Sequence, residues 1–310
     1  MKKTEEMLHY LTADGQEIHI PVVTLEGDEP GLHAVFTAGV HGCEYPPILA
    51  ATEFCRTTDL KDIRGKVTFV TICTLPSFQT RTPFVNPIDG KNPNRFFPGD
   101  VNGSHTESIN AHIFNEIISK ADYHIDLHCG DMTEILAPFC EYGISYGEKT
   151  DRMNREIGLY CGVKNLIEDD IAVEEQPKGL NYLNSTENGI ASAIFELGQM
   201  GRTDREYVEG QLFCIRNILR HFGNLAGEAV PTADATILTT YGNVYAPETG
   251  IFVRCVEAGD DLAEGQKVGE MFDYFGNFLC DVTTPVPGRV MVMTSSPAVT
   301  KGMSLGDIVR

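Results

Sequence analysis

The chain has no apolar run long enough to cross a membrane. Its longest, such as Leu32–Val40 with His33 inside it, falls well short of the roughly 20 residues a spanning helix needs. A secretory signal is also missing: "MKKTEEMLHY" opens on two lysines, but Glu5 and Glu6 follow instead of an apolar core, which implies a cytoplasmic protein. There is no C-x-x-C pair, which argues against a thiolate zinc site. The nine cysteines are odd in number and irregularly spaced, and read as reduced buried thiols rather than a disulfide framework. Positive charge is scarce, 24 Lys and Arg against 44 Asp and Glu, a formal net charge of −20. Nucleic acid and anionic membrane surfaces would repel such a chain at long range; a local arginine pocket for a small anion stays open. No low-complexity tract occurs either. With 42% hydrophobic and 22% charged residues, the 310-residue chain reads as soluble and globular, one large domain or two ordinary ones. The sequence leaves the oligomeric state open, and a homo-oligomer is compatible with it.

What is there alternates. "EIHIPVV" (Glu17–Val23), "HAVFTAGV" (His33–Val40), "KVTFVTICTL" (Lys66–Leu75), "YHIDLH" (Tyr123–His128) and "IASAIFEL" (Ile190–Leu197) read as strands, several apolar throughout as strands buried on both faces are. Helical spacing follows Pro46, runs over Glu107–Ala121 and Thr203–Gly223, and extends to "DRMNREIGLYCG" and "KGLNYLNSTENG". The pattern predicts an α/β fold, a mixed, mostly parallel sheet flanked by helices. The segment from Pro76 to Gly103 holds eight prolines or glycines, so it cannot be one regular element and reads as a functional loop. After Gly223 a linker leads into short β runs at about ten-residue spacing. The expected division is an α/β domain over 1–227 and a small all-β, barrel-like domain over 228–310. That second part resembles a biotinyl/lipoyl carrier without the modifiable lysine, where "YFGNFLC" stands instead.

Four segments concentrate chemistry. His41 and Glu44 follow one strand, His128 ends another and Glu196 lies inside a third, where open α/β sheets place their ligands. His41 and Glu44 alone are better read as a polar helix-entry turn. With His128 they supply two imidazoles and one carboxylate, the set of a catalytic zinc site with a position open for water. Asp126, two residues before His128, could orient an imidazole or be structural. Glu196 is costly to bury as an ion, and reads either as a strand end in water or as a general base. The following glycine would let substrate approach the backbone. In the long loop, Asn94 and Arg95 suit a carboxylate. Arg81 reads equally as a donor to an oxyanion and as a solvated charge.

In this order "GVHGCEYPP", "DGKNPNRFFPG", "DLHCGD" and "IFELGQMG" resemble the succinylglutamate desuccinylase/aspartoacylase family of the zinc-carboxypeptidase-like superfamily, over nearly the whole chain. The resemblance implies one zinc ion per chain held by His41, Glu44 and His128, with Glu196 as catalytic base. It further implies Asn94 and Arg95 gripping substrate carboxylate and Arg81 polarising the scissile carbonyl. The activity implied is removal of an acyl group from a small N-acyl amino acid; a metallocarboxypeptidase acting on short peptides is the alternative. Cys43 and Cys129 depart from residues common in the family beside the ligands.

Overall fold

The computed structural model describes residues 1–173 and 177–310. The first part contains β1 (Lys2–Leu11), β2 (Glu17–Glu26), β3 (His33–Ala38), α1 (Tyr45–Thr57), β4 (Lys66–Val70), α2 (Leu75–Thr80) and α3 (His105–Glu116). Next come β5 (Tyr123–His128), β6 (Glu134–Leu136), β7 (Phe139–Ile144), α4 (Glu148–Tyr160), β8 (Asn165–Asp170), α5 (Asn181–Glu187), β9 (Ala191–Glu196) and α6 (Arg205–His221). A nine-stranded sheet runs β1-β2-β4-β3-β5-β9-β7-β8, closed by β10 (Thr236–Leu238). The pairs β3–β4, β3–β5, β5–β9, β7–β8 and β8–β10 are parallel, while β1–β2, β2–β4 and β7–β9 are antiparallel. The sheet is therefore mixed and mostly parallel, as the alternation predicts.

The central strands are apolar on both sides because both faces are covered. Phe36 and Phe69 pack with Ala51 and Phe54 of α1 and Leu212 and Ile215 of α6. On the other face Val35 and Val70 meet Ile109 and Ile113 of α3. Strand β1 escapes sequence reading because it lies at the edge: Leu8 and Tyr10 pack inward, while Met7 and Leu11 stay more than half exposed. The run from Lys66 ends earlier than expected. Only Lys66–Val70 pairs as strand, and the "long loop" begins with α2, whose first turn holds Pro76.

The C-terminal part is all β. Strands β11 (Tyr241–Tyr245), β13 (Asp261–Leu262), β16 (Gly288–Thr294) and β18 (Ser304–Val309) form one sheet; β12 (Gly250–Arg254), β14 (Lys267–Phe272), β15 (Phe278–Thr283) and β17 (Ala298–Val299) form another. Val244, Phe252, Val268, Met271 and Ile308 fill the space between them. Strand β6 pairs with β16 through Ile135–Met293 and its neighbours. Backbone hydrogen bonds thus tie this part to the segment just after His128.

Candidate metal centre

The sheet edge at the carboxyl ends of β3, β5 and β9 gathers the predicted residues. His41 follows β3, and Glu44 stands at the N-cap of α1, behind two prolines that start the helix. Glu44 does not cap: its side chain makes no bond to the helix amides. Instead Oε1 lies 2.6 Å from His41 Nδ1 and Oε2 lies 3.0 Å from His128 Nδ1. The backbone N–H of Cys129 also donates to Oε2, at 3.1 Å. Gly42 permits this turn by close approach, since a Cβ there would sit 2.1 Å from the backbone nitrogen of Phe78.

Both imidazoles are held from behind. Asn92 Oδ1 accepts from His41 Nε2 at 3.0 Å, and also accepts the backbone N–H of Asn94, which identifies that atom as the oxygen. Asp126 Oδ2 accepts from His128 Nε2 at 3.1 Å, while its Oδ1 takes the Thr37 hydroxyl. With the outer nitrogens protonated, two Nδ1 lone pairs face one carboxylate. Donors of one polarity converge only around a proton or a cation, and the three buried side chains bring ligand atoms within 4.8 Å of one another. The set fits a metal ion with an open position. Without one, the imidazoles pull Glu44 down to about 2 against the opposing effect of burial. Another trio, His9, Glu17 and His19, meets the same spacing on the β1–β2 surface but is largely exposed.

Glu196 ends β9 directly opposite His128 on β5. It is partly open to the cavity, yet its Oε2 is sealed and has no hydrogen-bond partner among the described residues. Burial pushes its carboxyl well above the usual range; Glu44, Glu134 and Glu141 add to that, while His128 opposes it. A buried carboxyl with its pKa raised, beside a trio that could hold a metal, can accept and return a proton. Gly198 does not line a substrate path as expected. It adopts a φ of +107°, and a Cβ there would press on Pro46 and Cys129.

The loop carrying Asn94 and Arg95 is stapled to α3. Lys91 bridges to Glu107 at 2.8 Å, Asp89 accepts from the N–H and hydroxyl of Thr106, and Asn110 donates to the Pro93 carbonyl. Asn94 is buried, and its Oδ1 accepts from the Asn181 N–H at 2.8 Å, leaving the amide nitrogen as its free donor. Arg95 is exposed at the rim. These residues, the trio and Glu196 line one cavity of about 490 Å³, ample for a small molecule. Arg81 is not among its lining residues; it is exposed at the C-terminal end of α2 in a left-handed conformation, φ 57°. Cys43 and Cys129 are buried thiols pushed up by burial, Cys129 strongly, so they pack beside the ligands as inert neutral groups.

Sequence reasoning missed Asn92, although it sits in the same Asn-Pro-Asn-Arg run. It also missed the opposite wall of the cavity, built by Glu141, Tyr182, Tyr241 and Asp307. Only the sheet order brings those residues to the site.

Comparisons with known proteins place the chain in a family. A curated relative, the N-alpha-acetyl-L-2,4-diaminobutyric acid deacetylase of Halomonas elongata, is 28% identical over 260 residues, covering 83% of this chain and 75% of the relative. The product-bound ectoine utilization protein EutE (DoeB) from Ruegeria pomeroyi superposes with a TM-score of 0.88 at 23% identity, over 99% of this chain and 95% of that one. A succinylglutamate desuccinylase/aspartoacylase from Rhodobacter sphaeroides gives 0.87 at 21% identity, with the same coverages. At such identities these two establish the shared fold. The pattern of the Succinylglutamate desuccinylase/Aspartoacylase catalytic domain matches residues 30–222, and the chain belongs to that deacylase family.

Proposed function

We propose that this protein is a zinc-dependent amidohydrolase that removes an acyl group from a small N-acyl amino acid in the cytoplasm. The observation that carries the reading is the juxtaposition of the His41–Glu44–His128 trio with the unpartnered Oε2 of Glu196 in one open cavity. The deacetylase relative supports an amide of an amino acid as substrate. His41, Glu44 and His128 would hold a single ion, and two imidazoles with one carboxylate suit zinc. When bound, such an ion polarises water and the amide carbonyl, drawing the water's pKa toward ~7.

The chain's own residues supply the rest. Glu196 takes the proton of the attacking water and returns it to the leaving nitrogen. Asn94, through its free amide nitrogen, and Arg95, through its planar fork, hold the substrate's carboxylate. Arg81 is assigned the polarising role on the family resemblance; it reaches the carbonyl only by swinging its side chain inward from the end of α2. Residues 1–227, with β10 completing their sheet, act as the hydrolase domain and the strands from β11 onward as an all-β domain, from which Tyr241, Tyr245 and Asp307 wall the cavity and favour small substrates over extended peptides.

The test is a panel of N-acyl amino acids and short peptides offered to protein loaded with zinc. Release of free amino acid from the former, abolished by a chelator and restored by zinc, is the expected result. Turnover of peptides alone would replace this reading with the carboxypeptidase one.

A further inference from the structure

A second group of candidate metal ligands lies outside the cavity, on the edge hairpin β1–β2. His9 and His19 stand directly opposite each other in the antiparallel register, and Glu17 lies one pair along, opposite Leu11. Residues two apart on a strand share a face, so all three side chains project from the same side. The two imidazoles lie face to face, with ring centroids 4.7 Å apart and planes 26° from parallel. One nitrogen of each ring and one Glu17 oxygen fall within 4.8 Å of one another.

The backbone beneath them is fixed at each position. The turn at 12–16 closes on a bond from the Thr12 N–H to the Gln16 carbonyl, which holds the register. Ile18 and Ile20, on either side of His19, are fully buried. Next to His9, Tyr10 stacks on His112 of α3 at 3.7 Å and donates to Glu116. At Glu17 the backbone carbonyl accepts from Nε2 of the buried His105 at 3.2 Å, while Nδ1 of that ring takes the Asn86 amide. The side-chain ends, by contrast, are free. Among the described residues, no hydrogen bond or ion pair engages the side chain of His9, Glu17 or His19. Packing accounts for two stacked rings, but not for a carboxylate oxygen beside their nitrogens with no donor of its own. Nor is there a lysine or arginine among the described residues lining the groove that Glu17 and His19 border.

We propose that His9, Glu17 and His19 form a surface site for a divalent first-row transition ion, separate from the buried trio. Two imidazoles and one carboxylate suit zinc, nickel or copper, whereas calcium and magnesium prefer shells of oxygen. Three ligands on one open face leave the remaining positions to water, so the ion exchanges with the buffer and desalting removes it. An ion held across two strands ties the exposed edge of the sheet to its neighbour, and stabilises the folded chain by linkage. The site stands independently of the deacylase reading.

The experiment uses the untagged full chain, zinc-loaded and then desalted, titrated with nickel(II) by calorimetry. One nickel ion per chain is expected to bind. His9→Ala and His19→Ala should each weaken it by roughly tenfold or more, since loss of a group merely behind a ligand already costs about 10–100-fold. Glu17→Gln should weaken it less, and turnover should be unchanged in all three variants. Nickel should also slow hydrogen exchange of the β1–β2 amides and raise the unfolding midpoint of the unaltered protein, with neither effect in His19→Ala. Equal nickel affinity in the unaltered protein and the three variants overturns the site, as does the absence of saturable binding below about 1 mM. Nickel binding that survives His9→Ala and His19→Ala but disappears in His128→Ala belongs to the buried trio, and overturns it as well. If no acyl amino acid is hydrolysed, the deacylase reading falls while these binding measurements still decide the surface site.

Discussion

His128 and Glu196 are registered partners across the adjacent parallel strands β5 and β9. Two strands that end at the same level bring an imidazole of the candidate metal trio and a carboxylate to one sheet edge without any loop to position them. The sheet's rigidity thus fixes their separation, which catalysis by a positioned base requires.

Replacing Glu196 by Gln keeps the shape but removes proton transfer. Turnover should fall by roughly 10²–10⁴-fold, while zinc content, measured by elemental analysis, stays at one ion per chain. Near-normal turnover would remove Glu196 from the mechanism.

Asp126 and Asn92 hold the two imidazoles from behind, and on the proposed reading would tune a bound metal through them. In Asp126→Asn the acceptor behind His128 loses its charge, and in Asn92→Ala the acceptor behind His41 is gone. Competition with a chromogenic chelator should show zinc affinity down by roughly 10–100-fold in each. His128→Ala, lacking a ligand, should retain no stoichiometric zinc at all.

Gly42→Ala tests the turn that joins the two neighbouring ligands. The new methyl would meet the backbone of Phe78 and Ser77 at 2.1 and 2.4 Å and the Ser77 Cβ at 2.6 Å, with no flexible side-chain tip to yield. Forced overpacking of this kind costs about 1–3 kcal/mol or more. Denaturant melts of the zinc-free protein should shift to lower midpoints, and zinc affinity should fall with them; an unchanged midpoint would contradict the packing.

The stapled loop predicts a pH effect. Glu107 is pulled down to about 2 by its bridge to Lys91 and by the Ser104 N–H. Its folded pKa lies below the unfolded value, so its contribution is fully present above about 4.5. That contribution is lost as pH falls from there toward 2. Glu107→Gln should therefore cost about 1 kcal/mol at pH 7 and progressively less in acid. A stability difference that does not shrink between pH 5 and pH 2.5 would show that the charge is not responsible.

Much of this protein is determined by local sequence. Period-2 and unbroken apolar runs announce β3, β5 and β9, and amphipathic spacing announces α3 and α6, because burial on one or two faces dictates those patterns. The residues gathered at this sheet edge, His41, Glu44, His128 and Glu196, were legible as candidates for a related reason: a histidine or glutamate at the end of an apolar strand is costly without a task. Strand β1 was not legible, since an edge strand with exposed Met7 and Leu11 lacks clean alternation. Nor was the seat of Arg81, which depends on where α2 ends.

Tertiary structure alone decided which strand lies beside which. The order β5-β9-β7 sets Glu141 next to Glu196, although 55 residues of chain separate them. Strand β18 then brings Asp307 to the same wall from the far end of the chain. Pairing of distant strands is fixed by packing and crossover geometry across the whole sheet, and no local window carries it. The sequence thus determined which residues could form a metal trio and a neighbouring base; the fold decided what faces them across the cavity.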